Sequence, residues 1–125
     1  MILGIGIDIV DVRRIEGIIF RWQERFLRRI FTDREIKYCN NKKNPAQRFA
    51  TRFAAKEAFV KALYPKGQEG INFRDIEIDE KESRPVVNTY GRVQTDMQAK
   101  QVRKTFVMLS HDGNYSVAQV ILEGA

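Results

Sequence analysis

Residues 44–63 read NPAQRFATRFAAKEAFVKAL, and they form the strongest helix signal in the chain. Asn44 is a good N-cap, Pro45 suits the first helical position, and Pro65 ends the pattern soon after Leu63. On a wheel at about 100° per residue, Phe49, Phe53 and Val60 share a narrow sector. Ala50, Ala54, Ala58 and Ala62 make a small-residue face beside it, and Arg48, Arg52 and Lys56 recur as a basic stripe. Glu57 falls on the border between the aromatic and alanine faces. The helix is therefore expected to be covered on most sides, with a carboxylate directed into covered territory.

The first strand supplies a second carboxylate in an unusual setting. Residues 2–10 alternate, with Leu3, Ile5, Ile7 and Ile9 on one face and Ile2, Gly4, Gly6, Asp8 and Val10 on the other. Glycines on a strand face let another backbone come close, and the alanine face of the 45–63 helix is the natural element to pack there. Asp8 and Glu57 are thereby expected to converge. Two covered carboxylates repel, and each alone is costly to ionise. Either they pair with Arg13, Arg14 or the 48–56 stripe as structural ion pairs, or they hold a divalent cation. Mg²⁺ is commonly held by one or two carboxylates, with water and substrate phosphates completing its shell.

Working outward, residues 11–30 turn helical, in two pieces if Gly17 weakens the middle. Thr32-Asp33-Arg34-Glu35 has the form of a capping box opening a helix to about residue 40. Strands are expected at 74–79 and 85–90, a helix near 92–102, and strands at 105–110 and 115–122 joined at His111-Asp112-Gly113-Asn114, a hairpin signal. That order predicts an α+β fold in which a largely antiparallel sheet packs against a long central helix, as one domain over residues 1–125.

Net charge is +6, from 22 basic and 16 acidic residues, so polyanions are the expected partners. Arg13, Arg14, Arg21, Arg25 and Arg28 crowd the first helical region. Arg14, Arg21, Arg25 and Arg28 share one face if that helix is continuous, and guanidinium forks suit carboxylates and phosphates. No apolar run is long enough for a membrane span and no targeting segment is visible, so a cytoplasmic protein with no membrane partner is expected. Cys39 is the only cysteine, which excludes an internal disulfide.

GIGID lacks the third glycine of a dinucleotide fingerprint, and its glycines lie inside a strand, so that reading is rejected. His111 is the only histidine, which excludes histidine-rich metal centres, and Ser110 beside it points to the opposite face. A small basic nucleic-acid-binding domain is the rival function. The strands offer few aromatic side chains for stacking bases, so nucleic acid is not the expected partner.

GIGIDIVDVRRIE at 4–16, RFATRFAAKEAFVKAL at 48–63 and MLSHDGNYSVAQVI at 108–121 together resemble the holo-acyl-carrier-protein synthase family of phosphopantetheinyl transferases. FTDREIKYC at 31–39 and IEI at 76–78 resemble it too. The resemblance implies the 4′-phosphopantetheinyl transferase fold and transfer of 4′-phosphopantetheine from coenzyme A to a serine of apo acyl carrier protein, in fatty acid synthesis. It implies Asp8 and Glu57 as ligands of Mg²⁺, and Arg52, Lys61, Ser110 and His111 at the coenzyme A site. Glu57 is then the leading general base, with Asp112 or His111 as alternatives. It implies Arg13, Arg14, Arg21, Arg25 and Arg28 as the face for acidic carrier protein, and a homotrimer with active sites at subunit interfaces. Tyr64-Pro65-Lys66-Gly67-Gln68 departs from the short glycine turn usual in the family, and SRPVV departs from its usual turn before the second strand pair.

Overall fold

A computed structural model describes residues 1–125. The chain runs β1 (Ile2–Asp11), α1 (Val12–Trp22), α2 (Glu24–Ile30), α3 (Asp33–Asn40), α4 (Pro45–Leu63), β2 (Ile76–Lys81), β3 (Arg84–Thr89), α5 (Gly91–Ala99), β4 (Lys104–Asp112) and β5 (Tyr115–Glu123). The strands make an antiparallel three-stranded sheet in the order β1-β5-β4 and an antiparallel β2-β3 pair. This is the expected α+β arrangement, with the antiparallel strands divided between two sheets.

Helix α4 starts and stops as its sequence dictates. Asn44 accepts from the Gln47 amide, Pro45 opens the first turn, and Tyr64 closes the last by donating its amide to Val60. Its alanine face lies on β1. A Cβ added at Gly6 would stand 1.8 Å from the Ala58 carbonyl oxygen, and one at Gly4 would stand 2.1 Å from that of Ala62. Only glycine permits this approach. Gly6→Ala is therefore expected to lower stability by about 3 kcal/mol, the upper end for forced overpacking, measured by urea denaturation. A loss below a third of that would mean the strand and helix can part cheaply.

The isoleucine face of β1 lies on the outer side of the sheet. Ile5, Ile7 and Ile9 are 55%, 58% and 62% exposed. Across β5 they align with Phe106 and Met108 of β4: Ile5 and Phe106 both pair with Ile121, and Ile7 and Met108 both pair with Gln119. The core lies on the other side, where Phe49, Phe59, Leu63, Val120 and Leu122 are buried with the alanines of α4.

Four expected boundaries move. Gly17 does not interrupt α1; the break falls at Gln23, whose φ of 50° starts a new helix. A continuous helix would place Leu27 about 120° from Ile15, and the break lets both side chains reach the core. Residues 73–75 form a single 3-10 turn capped by Asn72, so β2 begins at Ile76. Helix α5 ends at Ala99, just before Gln101 adopts φ 59°. In the β4–β5 hairpin Asp112 pairs with Tyr115, so the turn residues are Gly113, at φ 58°, and Asn114.

Candidate functional site

Asp8 emerges from the glycine face of β1 and Glu57 from the fourth turn of α4, at the seam these elements share. Burial pushes the Glu57 carboxyl above the usual carboxylate range, and the negative charge of Asp8 raises it further; Lys61 and Arg14 partly offset both. The two carboxylates therefore do meet closely enough to feel each other. Neither pairs with Arg13 or with the 48–56 stripe. Asp8 is held instead by Lys61, whose ammonium donates to Asp8 Oδ1 at 3.0 Å and to the Ile7 carbonyl at 3.1 Å. Arg13 is tied to Asp11 at 2.8 Å.

No group of three or more His, Cys, Asp or Glu converges anywhere in the chain. A cation at this seam would thus take two carboxylates from the chain and further oxygens from solvent or substrate, the ligand set suited to Mg²⁺. The raised Glu57 carboxyl also fixes a sign for pH. The folded state holds this proton more firmly than the unfolded chain, so its stabilising contribution is complete below the unfolded pKa and is lost as pH rises through the folded one. With divalent cations removed, Glu57→Gln is expected to gain stability relative to wild type as pH climbs from acid to neutral. Urea midpoints at several pH values test this; parallel curves for the two proteins would mean Glu57 ionises freely.

The other expected ligand-binding residues gather elsewhere. A cleft of about 230 Å³ is lined by Tyr38, Arg48, Thr51, Arg52, Ser110 and His111, among others. Arg52 is only 5% exposed, stacks over the Tyr38 ring with 4.1 Å between guanidinium carbon and ring centroid, and has a buried Nε without a hydrogen-bond partner. A buried guanidinium with an unused donor is prepared for an anion. Ser110 and His111 are exposed at its rim. Lys61 does not line this cleft; it stays with Asp8.

The arginine face is divided. Arg13, Arg14, Arg21, Arg25 and Arg28 are all exposed, but the break at Gln23 separates the first three from Arg25 and Arg28, so one continuous stripe does not form. Arg28 bonds Glu24 at 3.1 Å, and Arg21 lies over the Trp22 ring. Arg14 is close enough for its charge to act on Glu57.

Lys56 departs most from the expected basic stripe. It is fully buried, with its ammonium 2.6 Å from Glu35 Oε1 and hydrogen-bonded to the carbonyls of Ile30 and Phe73. Burial draws its pKa down, and Glu35 works against that. Glu35 also accepts from the amides of Thr32 and Ile78. Beside it, burial raises Glu77, but hydrogen bonds from Thr32, Asn88 and Tyr90 outweigh burial and hold that carboxyl below its ordinary value. The wheel carries the signal for Lys56: it lies about 20° from Phe49, at the edge of the aromatic sector.

Comparison with known proteins gives concordant matches. The family described as the 4′-phosphopantetheinyl transferase superfamily matches residues 4–120. A holo-[acyl-carrier-protein] synthase of Geobacter metallireducens is 44% identical over 124 residues, covering 98% of each chain. The crystal structure of holo-[acyl-carrier-protein] synthase from Neisseria meningitidis superimposes with a TM-score of 0.90 at 30% identity, covering 98% of this chain and 99% of that one. The Helicobacter pylori holo-[acyl-carrier-protein] synthase in complex with coenzyme A matches with a TM-score of 0.82 at 31% identity, over 95% and 99% of the two chains.

Proposed function

Because the chain belongs to the 4′-phosphopantetheinyl transferase superfamily, we propose that it moves 4′-phosphopantetheine from coenzyme A to a serine hydroxyl of apo acyl carrier protein. The other product is adenosine 3′,5′-bisphosphate, and the holo carrier serves fatty acid synthesis in the cytoplasm. The observation that carries this reading is the meeting of Asp8, Glu57 and Lys61 at one seam: two hard anionic ligands beside a cation, suited to a metal-bound diphosphate.

In the reaction the serine oxygen attacks the β-phosphorus of coenzyme A, and the bond from that phosphorus to the bridging oxygen breaks. The electron pair leaves with adenosine bisphosphate. Glu57 takes the serine proton, for which a carboxyl raised by burial and by Asp8 is suited. Lys61 meets the negative charge of the diphosphate. A Mg²⁺ held by Asp8 and Glu57 would add Lewis-acid neutralisation of that charge. The exposed arginines of α1 and α2 steer an acidic carrier protein toward the site.

The cleft around Arg52 supports a composite site. Arg52 and Glu57 lie about 140° apart on α4, and β5 separates the strand of Asp8 from that of Ser110 and His111. The cleft is also smaller than the roughly 300–1,000 Å³ of a typical small-molecule site. We read coenzyme A as held between the carboxylates of one copy and the Arg52–Ser110–His111 cleft of its neighbour. The uncovered ladder of Ile5, Ile7, Ile9, Phe106 and Met108 is the surface for a homotrimer.

Incubation with coenzyme A, Mg²⁺ and apo acyl carrier protein is expected to add one phosphopantetheine to the carrier's intact mass. No gain on any of several apo carriers would overturn the activity. Mixing inactive Glu57→Ala with inactive Arg52→Ala, after reversible dissociation, is expected to restore part of the transfer, because mixed assemblies contain one intact pairing. No recovery, with mixed assemblies detected by native mass spectrometry, would place both residues in a site within one chain.

A further inference from the structure

The Lys61 ammonium holds both Asp8 Oδ1 and the carbonyl of the preceding residue, Ile7, so it is anchored to β1 at two points. Asp8 has no other ion-pair partner, and its side chain is 17% exposed against 55% for Lys61. Glu57, the neighbouring carboxylate, makes no ion pair within 4.0 Å. A divalent cation that takes Asp8 as a ligand therefore meets an ammonium already on that carboxylate. Two cations sharing one carboxylate repel, while a diphosphate arriving beside them gives the ammonium a new anion to bond. The lysine is equipped for such a change, being a compact charge on a flexible stem that is mostly in solvent.

We infer that Lys61 is an exchangeable counter-ion: it competes with the divalent cation for Asp8, and it moves from Asp8 to the diphosphate when coenzyme A arrives. This rests on the reading of Asp8 and Glu57 as the cation's ligands. Its consequence is a linkage. The cation alone binds weakly, coenzyme A strengthens it, and by reciprocity the cation strengthens coenzyme A. Both are then retained together, and part of that coupling passes through one side chain.

The probe is Mn²⁺, followed by electron paramagnetic resonance and calorimetry on the intact protein, with and without coenzyme A. In the absence of coenzyme A, Lys61→Met is expected to bind Mn²⁺ about fivefold more tightly than wild type, the scale of a partly exposed ion pair. The enhancement produced by coenzyme A should shrink by at least that factor. Lys61→Arg keeps a cation on Asp8 and should stay near wild type. Arg14→Gln removes a charge that acts on Glu57 without bonding Asp8, and should change Mn²⁺ affinity less than Lys61→Met does. Circular dichroism establishes that each variant is folded. Mn²⁺ binding that depends on Asp8 but is no tighter in Lys61→Met, or that rises equally in Arg14→Gln, overturns the counter-ion role alone. Absence of Mn²⁺ binding by wild type even with coenzyme A, or binding untouched by Asp8→Asn, overturns the carboxylate site and this inference with it.

Discussion

Lys56→Ala is expected to lower the unfolding free energy by about 3–5 kcal/mol, the range for removing one partner of a buried ion pair. Stability totals are about 5–15 kcal/mol for such proteins, so the variant should lose a large share of its margin and melt at a clearly lower temperature. The loss has three sources in the structure. Glu35 would remain fully buried with its charge answered only by the amides of Thr32 and Ile78. The carbonyls of Ile30 and Phe73 would lose their shared donor. A void would open beside Phe31, whose ring centroid is 5.2 Å from the ammonium. Lys56 thus joins α4 to the ends of α2 and α3 and to the turn before β2. Pairing Lys56→Met with Glu35→Gln removes both charges and is expected to recover part of the loss, so that the double variant is more stable than the sum of the single changes predicts. Urea denaturation of wild type, Lys56→Ala, the two single variants Lys56→Met and Glu35→Gln, and their double checks this. Strict additivity, or a loss below about 1 kcal/mol in Lys56→Ala, would show that this network does not hold the helix.

The second large effect is chemical. Asp8→Ala is expected to reduce transfer to apo carrier protein by about 10³-fold, comparable with losing a principal source of transition-state charge stabilisation, while leaving the fold almost unchanged. The side chain of Asp8 bonds only Lys61, in a pair that is half in solvent, so its structural contribution is small. Glu57→Ala should be as damaging, since it removes the base and the second carboxylate together. Chelation by EDTA should stop wild type and be reversed by excess Mg²⁺. Initial rates from the carrier's intact mass, beside thermal denaturation of each variant, separate chemistry from folding. An Asp8→Ala protein retaining a tenth of the wild-type rate would sink the two-carboxylate assignment. The contrast between the two experiments is useful in itself: neighbouring Lys56 and Glu57 should fail by different routes, one in stability and the other in turnover.

How far the sequence discloses these features depends on how local their causes are. Helix α4 is read to within a residue because Asn44, Pro45 and Pro65 act on their own neighbourhood. Its docking on β1 is legible because two glycines and a row of alanines leave backbone as the only possible contact surface. The Lys56–Glu35 pair is not read, because its halves lie in different helices and the intervals of four among Arg48, Arg52 and Lys56 group Lys56 with a basic stripe set against Asp8 and Glu57. The break at Gln23 is missed because it answers a demand of the core on Leu27, with no turn residue to mark it. For the site, Asp8 and Glu57 are brought together as expected, but the partner of Asp8 is Lys61, which lies outside the neutralising residues expected there, Arg13, Arg14 and the 48–56 stripe. Arg52, Ser110 and His111 do share one cleft; Tyr38 beneath Arg52 gave no sign of joining them.

The pairing of Ile2 with Glu123 brings almost the whole length of the chain into one register. Seen as an event in time, β1 leaves the ribosome well before β5, the strand it pairs with, and must wait for it. Until β5 emerges, the β1 edge it will pair with has no partner and α4 has only part of its bed. Contacts this distant in sequence close slowly, and an unpaired strand edge invites association with other chains while it waits. Truncations that remove β5 should therefore give aggregating chains, whatever their helical content.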